Sequence, residues 1–95
     1  MTGTYEFDAV IQRVEDQDGA YVKLPFDLKK EFGKGRVSVH ATYDGEPYDG
    51  SAVNMGVRND DGSVCYILGM PKEIRKRIGK TPGDTVSVTL RGRMP

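Results

Sequence analysis

The chain of 95 residues carries 14 Lys or Arg against 14 Asp or Glu, a formal net charge of zero, with 37% apolar and 29% charged residues. That length supports one modest core, and a pI near 6.6 speaks against a general polyanion binder. The single cysteine, Cys65, excludes an internal disulfide, and no apolar run approaches the roughly 20 residues that cross a bilayer as a helix.

In chain order, residues 1–6 lack the basic and apolar stretches of a secretory signal, so a soluble cytoplasmic protein is expected. Residues 5–11 alternate apolar and polar side chains, as a half-buried strand does. An acidic stretch then ends in Asp18-Gly19, a hairpin signal. Residues 21–24 read as a second strand, and Pro25 is expected to open a short helix, where its missing N–H costs nothing. Leu28 and Phe32 share the inner face of that helix, Lys29 and Lys30 turn outward, and Gly33 supplies a left-handed C-cap. Val37, Val39, Ala41 and Tyr43 alternate along the next strand. Asp44-Gly45 turns the chain into a strand over residues 48–57, with a bulge expected at Gly50.

Asn59-Asp60-Asp61-Gly62 is a polar turn before a strand at 64–68. Residues 71–78 form the second short helix, with Ile74 and Ile78 inward and Gly79 as its cap. Thr81-Pro82-Gly83-Asp84 turns into a last strand at 85–90, and residues 91–95 are expected to fray. The core is expected to draw on Phe7, Leu28, Phe32, Val37, Val39, Ile74, Ile78, Val86 and Val88.

Two segments repeat. Residues 21–39 read YVKLPFDLKKEFGKGRVSV and residues 66–88 read YILGMPKEIRKRIGKTPGDTVSV. Aligned on Pro25 and Pro71, they match Leu28 with Ile74, Lys30 with Lys76, Phe32 with Ile78 and Gly33 with Gly79. Each closes on a Val-Ser-Val strand. Neither unit is large enough to bury its own apolar face, so one domain over residues 1–95 is expected, built with an internal pseudo-twofold repeat.

The second copy, from Met70-Pro71-Lys72-Glu73-Ile74 to Gly83-Asp84-Thr85-Val86, resembles the core motif of the AbrB/MazE/SpoVT group, whose members dimerise into a swapped-hairpin barrel that binds DNA. The first copy departs from that motif, with Gly35-Arg36 in place of the longer turn. The stretch from Tyr5 to about Leu90 more closely resembles an uncharacterised prokaryotic β-barrel family, catalogued as a domain of unknown function. It carries Leu24-Pro25-Phe26-Asp27-Leu28, Asp44-Gly45-Glu46-Pro47-Tyr48 and Val53-Asn54-Met55-Gly56. Members of that family often occur with bacteriocin-protection-like (OmpD-associated) domains. The resemblance implies an all-β, small closed barrel of cradle-loop type with two short helices, and it brings no catalytic residue.

Charge is segregated along the chain. Residues 23–36 and 72–80 hold ten Lys or Arg against the three acids Asp27, Glu31 and Glu73. The acids gather at 6–18 and 44–61, which implies a strongly dipolar molecule if the repeats share a face. Lys29, Lys30, Lys34 and Arg36 mirror Arg75, Lys76, Arg77 and Lys80, and such a pair of basic helices is the candidate nucleic-acid surface. The bland reading is a solvated helix face with cations near the C-terminal ends.

His40 lies opposite the apolar face of its strand and is expected to meet solvent. Cys65 is expected to be a partly buried, inert thiol. Asp8, Glu15, Asp16, Asp18, Asp44, Glu46, Asp49, Asp60 and Asp61 fall mostly in expected turns and lack calcium-loop spacing. Gly79-Lys80-Thr81 mimics the end of a P-loop, but Ile74 stands where its upstream glycine is required. Tyr21, Tyr48 and Tyr66 are expected to pack, not to stack on bases.

These features lead to a non-catalytic binding or accessory domain without cofactor or metal, a monomer that recognises a protein or small ligand and no membrane. An AbrB-like DNA-binding regulator or antitoxin is the first alternative. An enzyme is the second, and it requires a cleft with convergent polar groups near His40 or Asn54.

Overall fold

A computed structural model of the chain describes residues 4–14, 19–33 and 35–92. The elements run β1 (Tyr5–Val10), β2 (Gln12–Arg13), β3 (Ala20–Lys23), α1 (Leu28–Phe32), β4 (Arg36–Tyr43), β5 (Glu46–Arg58), β6 (Val64–Gly69), α2 (Lys72–Ile78) and β7 (Thr85–Gly92). The seven strands form one curled antiparallel sheet, a half-barrel with strand order β1-β7-β4-β5-β6-β3-β2. Ile11 joins β1 at one edge to β2 at the other. It is buried, its N–H donates to the Asp84 carbonyl at 2.8 Å, and its carbonyl accepts from Gly83 at 2.9 Å.

Period-two alternation sends one set of side chains inward. Val39, Ala41 and Tyr43 of β4 pack with Val86, Val88 and Leu90 of β7, and with Val22 and Leu68 of β3 and β6. The expected core residues all join this cluster, with Phe7, Phe32, Val37 and Ile78 only partly buried. Tyr43 extends it as a fully buried ring whose hydroxyl donates to the Gly69 carbonyl at 2.8 Å. A polar tip on a buried ring needs such a partner.

Four local expectations are corrected. Pro25 lies outside α1; the helix starts at Leu28, because the Asp27 carboxylate accepts from the Lys30 N–H and acts as N-cap. Pro71 likewise precedes α2 as its N-cap residue. The irregularity in β5 falls between Asn54 and Arg58, around Gly56 at φ 85°, and not at Gly50. Gly50 pairs regularly with Val39, and its missing Cβ leaves room for the Tyr48 ring. Arg91 and Gly92 belong to β7, where they pair with His40 and Val39. Residues 93–95 and Asp18 of the expected hairpin turn lie outside the described residues.

Both helix ends follow the sequence. Gly33 and Gly79 take the left-handed conformation, at φ 75° and 69°, which only glycine adopts without strain. No helix among the described residues is long and apolar enough to cross a membrane.

Candidate functional site

The eight candidate basic residues divide by environment. Lys34 lies outside the described residues. Lys29 and Lys30 are exposed on α1, and Lys76 is exposed on α2. Arg75 is half-buried on the same helix. Arg77 and Lys80 are held by the β4–β5 turn. Arg77 Nη1 lies 2.8 Å from Glu46 Oε1, and Lys80 Nζ lies 2.6 Å from Asp44 Oδ2 while also donating to the Thr85 carbonyl. The hydrogen bond from Lys80, then that from the Ser87 N–H, holds the Asp44 carboxyl below the usual range. The hydrogen bond to Glu46 raises the Arg77 pKa. The acidic segment therefore folds onto one basic window, and the two charge blocks are partly neutralised where they meet.

Arg36 has a different setting. The strand registers place Arg36 opposite Val53, Val53 opposite Ile67, and Ile67 opposite Lys23. This cross-strand row runs over β4, β5, β6 and β3 on the face away from the core, since Val22, Ala52 and Leu68 alternate with it and point inward. Two apolar side chains thus lie between two cations. Over the Arg36–Val53–Ile67 part of the row lies an open groove of about 530 Å³, lined also by Tyr21, Tyr48 and Met55, with Lys23 outside its lining. Its base includes Gly35 and Gly69, where a Cβ would meet no atom within 4 Å. Met55, at 69% exposure, stands at its rim. No carboxylate lines the groove among the described residues.

Tyr48 shapes one wall by stacking on Tyr43, with ring centroids 5.9 Å apart. Tyr21 is half-buried and Tyr66 buried, as packing tyrosines. Asn54 lines the groove at the start of the β5 irregularity, where its Oδ1 accepts from the Gly56 N–H at 3.0 Å. Cys65 is buried on β6, and desolvation pushes its thiol pKa up, so it is a poor nucleophile.

His40 faces solvent as expected, at 43% exposure, and its Nδ1 lies 2.5 Å from Asp49 Oδ1. Sequence reasoning missed this pair, although counting outward from the Asp44-Gly45 turn sets His40 opposite Asp49. Asp8 and Asp49 sit in strands, not turns, whereas Asp44, Asp60 and Asp61 are in turns. Glu15 and Asp16 lie outside the described residues. Gly79 ends α2, which places the Gly-Lys-Thr run at the wrong end of a helix for a P-loop.

Among known proteins, no curated sequence matches the chain. A family model covers residues 7–90, nearly the whole sheet and both helices, and the chain belongs to that family, described as Domain of unknown function (DUF1905).

Proposed function

We propose that the chain is a non-catalytic binding module that takes a small apolar ligand bearing one acidic group in the groove over Val53 and Ile67. The observation that carries this reading is the run Arg36–Val53–Ile67 across three strands, an apolar floor with one cation at its end, all three residues lining the groove. A groove of about 530 Å³ falls within the roughly 300–1,000 Å³ of small-ligand sites. Aromatic walls from Tyr21 and Tyr48 suit a flat apolar body, and Arg36 suits a carboxylate or sulfonate. The module is a cytoplasmic monomer in this reading.

The finer architecture proposed with it is a closed cradle-loop barrel with internal twofold pseudo-symmetry. The alignment that matches Pro25 with Pro71 also matches Val22 with Leu68, and those two are cross-strand partners. The Val-Ser-Val alignment matches Ala41 with Leu90, and these are partners as well. A twofold axis relating antiparallel strands passes between equivalent residues, so both pairings support the repeat. β5 pairs with β4 and then β6, as the N-terminal strand pairs through β1 with β7 and through β2 with β3. That parallel extends the repeat to the long strands and makes Ile11 the closing point of the barrel.

DNA binding of the AbrB kind is the weaker reading, because Arg77 and Lys80 are already engaged by Glu46 and Asp44. The groove is tested by fluorescence titration with 8-anilinonaphthalene-1-sulfonate, an aromatic anion. Saturable binding is expected in the native chain, weakened in Arg36→Gln and abolished in Gly69→Leu, whose side chain fills open space. Equal binding by all three proteins refutes the assignment.

A further inference from the structure

A second cluster lies on the outer face of β4 and β7, built from residues outside the groove. The register sets His40 opposite Arg91 and Thr42 opposite Thr89. His40 and Thr42 are two residues apart on one strand, so the four side chains project from the corners of a cross-strand rectangle. Its sides are about 5 Å across the strands and about 7 Å along them. All four line one cleft of about 370 Å³. Asp49 lines the same cleft from the β5 side of His40, so its carboxylate stands across the imidazole from Arg91.

The protonation pattern follows from the contacts. A carboxylate can only accept, so His40 donates Nδ1–H to Asp49 and keeps Nε2 out of that bond. The Thr42 and Thr89 hydroxyl oxygens lie 2.6 Å apart. One O–H is spent between them, and the other is left to donate outward. Arg91 has no ion-pair partner among the described residues, and its planar fork can present two parallel N–H groups to an oxyanion.

We propose that this cleft is a binding site for a phosphoryl oxyanion, either free phosphate or a phosphate monoester. Arg91 takes two of its oxygens and the free threonine O–H a third. His40 Nε2 completes the set, donating when the imidazole is protonated and accepting from a phosphoryl O–H when it is neutral. Asp49 fixes the imidazole and makes no contact with the anion. The site stands whether or not the apolar groove binds anything.

His40 is the only histidine of the chain, so its imidazole signals in a proton–nitrogen correlation spectrum report on the cleft without ambiguity. The full chain is titrated with inorganic phosphate and separately with phenyl phosphate, with sodium chloride at matched ionic strength as reference. A saturable shift of the His40 signals is expected with phosphate. It should weaken about tenfold or more in Arg91→Gln, as loss of a charge-assisted hydrogen bond implies, and stay unchanged in Lys76→Gln, which removes an exposed cation from α2. The backbone spectrum checks that the variant is folded. If Arg91→Gln does not fold, Arg91→Lys keeps a point charge without the fork and should bind more weakly than the native chain. Tighter binding of phenyl phosphate identifies a monoester site, and equal binding a free-phosphate site. A shift no larger than that with chloride, or one that survives loss of Arg91, overturns the proposal.

Discussion

Lys80 Nζ lies 2.6 Å from Asp44 Oδ2, which ties the segment after α2 to the tip of the β4–β5 hairpin. The same carboxylate accepts from the Ser87 N–H through Oδ1 at 2.8 Å, so one aspartate joins three parts of the chain. Asp44 also holds φ at 51°, a left-handed conformation that Asp and Asn tolerate best after glycine. Its folded pKa is depressed, first by Lys80. The stability it contributes is therefore present above the unfolded pKa near 4 and is lost as pH falls through the folded value. Asp44→Asn keeps the turn and the Ser87 bond but removes the charge. Denaturant melts at pH 7 should show a loss of at most about 1 kcal/mol, as for a solvent-screened ion pair, and that deficit should shrink as pH falls through the folded pKa.

Gly50 and Tyr48 form a steric pair. A Cβ at Gly50 would lie 2.6 Å from the Tyr48 ring, which is itself stacked on Tyr43. Gly50→Ala should push the ring off its stack and destabilise the fold by about 1–3 kcal/mol. In a Tyr48→Ala background the same change should cost far less, because the obstructing ring is gone. Additive losses in the double-mutant cycle would show that the ring is not the obstacle.

Tyr43 should be silent in an alkaline titration. Burial drives its pKa far above the usual tyrosine value, and its hydroxyl is committed to Gly69. Its folded pKa is raised, so its contribution is complete below the unfolded pKa near 10 and is lost as pH rises above that. Absorbance at 295 nm should register at most four of the five tyrosines before the protein unfolds. Tyr43→Phe strands the hydrogen bond to Gly69 and should cost about 1 kcal/mol.

How far the sequence could be read depends on the range of the interaction. The alternation Val37, Val39, Ala41, Tyr43 and the caps Gly33 and Gly79 are local signals, and each appears in the fold. Pro25 misled because two start signals compete there, and the Asp27 side-chain bond wins over the proline preference. Gly50 misled because a strand glycine has two uses, a bulge or room for a neighbouring ring, and only the partner decides. The end of β7 was unreadable because its pairing with β4 is a long-range contact. The basic side chains were legible one by one. Their engagement by Asp44 and Glu46 was not, and neither was the groove, whose floor runs across three strands.

Duplex DNA provides a discriminating negative. With Arg77 and Lys80 paired and a net charge of zero, random-sequence duplex should not bind at near-physiological salt. Fluorescence anisotropy that rises at low salt, falls steeply with added salt and drops in Lys29→Gln/Lys30→Gln would place phosphates on the helices instead.

The most direct measurement is a methyl-region titration of the labelled chain with 2-naphthoate, an apolar ring with one carboxylate. The groove assignment predicts saturable shifts at the Val53, Met55 and Ile67 methyls, with the buried Val39 and Val88 methyls unmoved, and loss of all shifts in Gly69→Leu. Shifts that appear elsewhere, or that persist in Gly69→Leu, would contradict it.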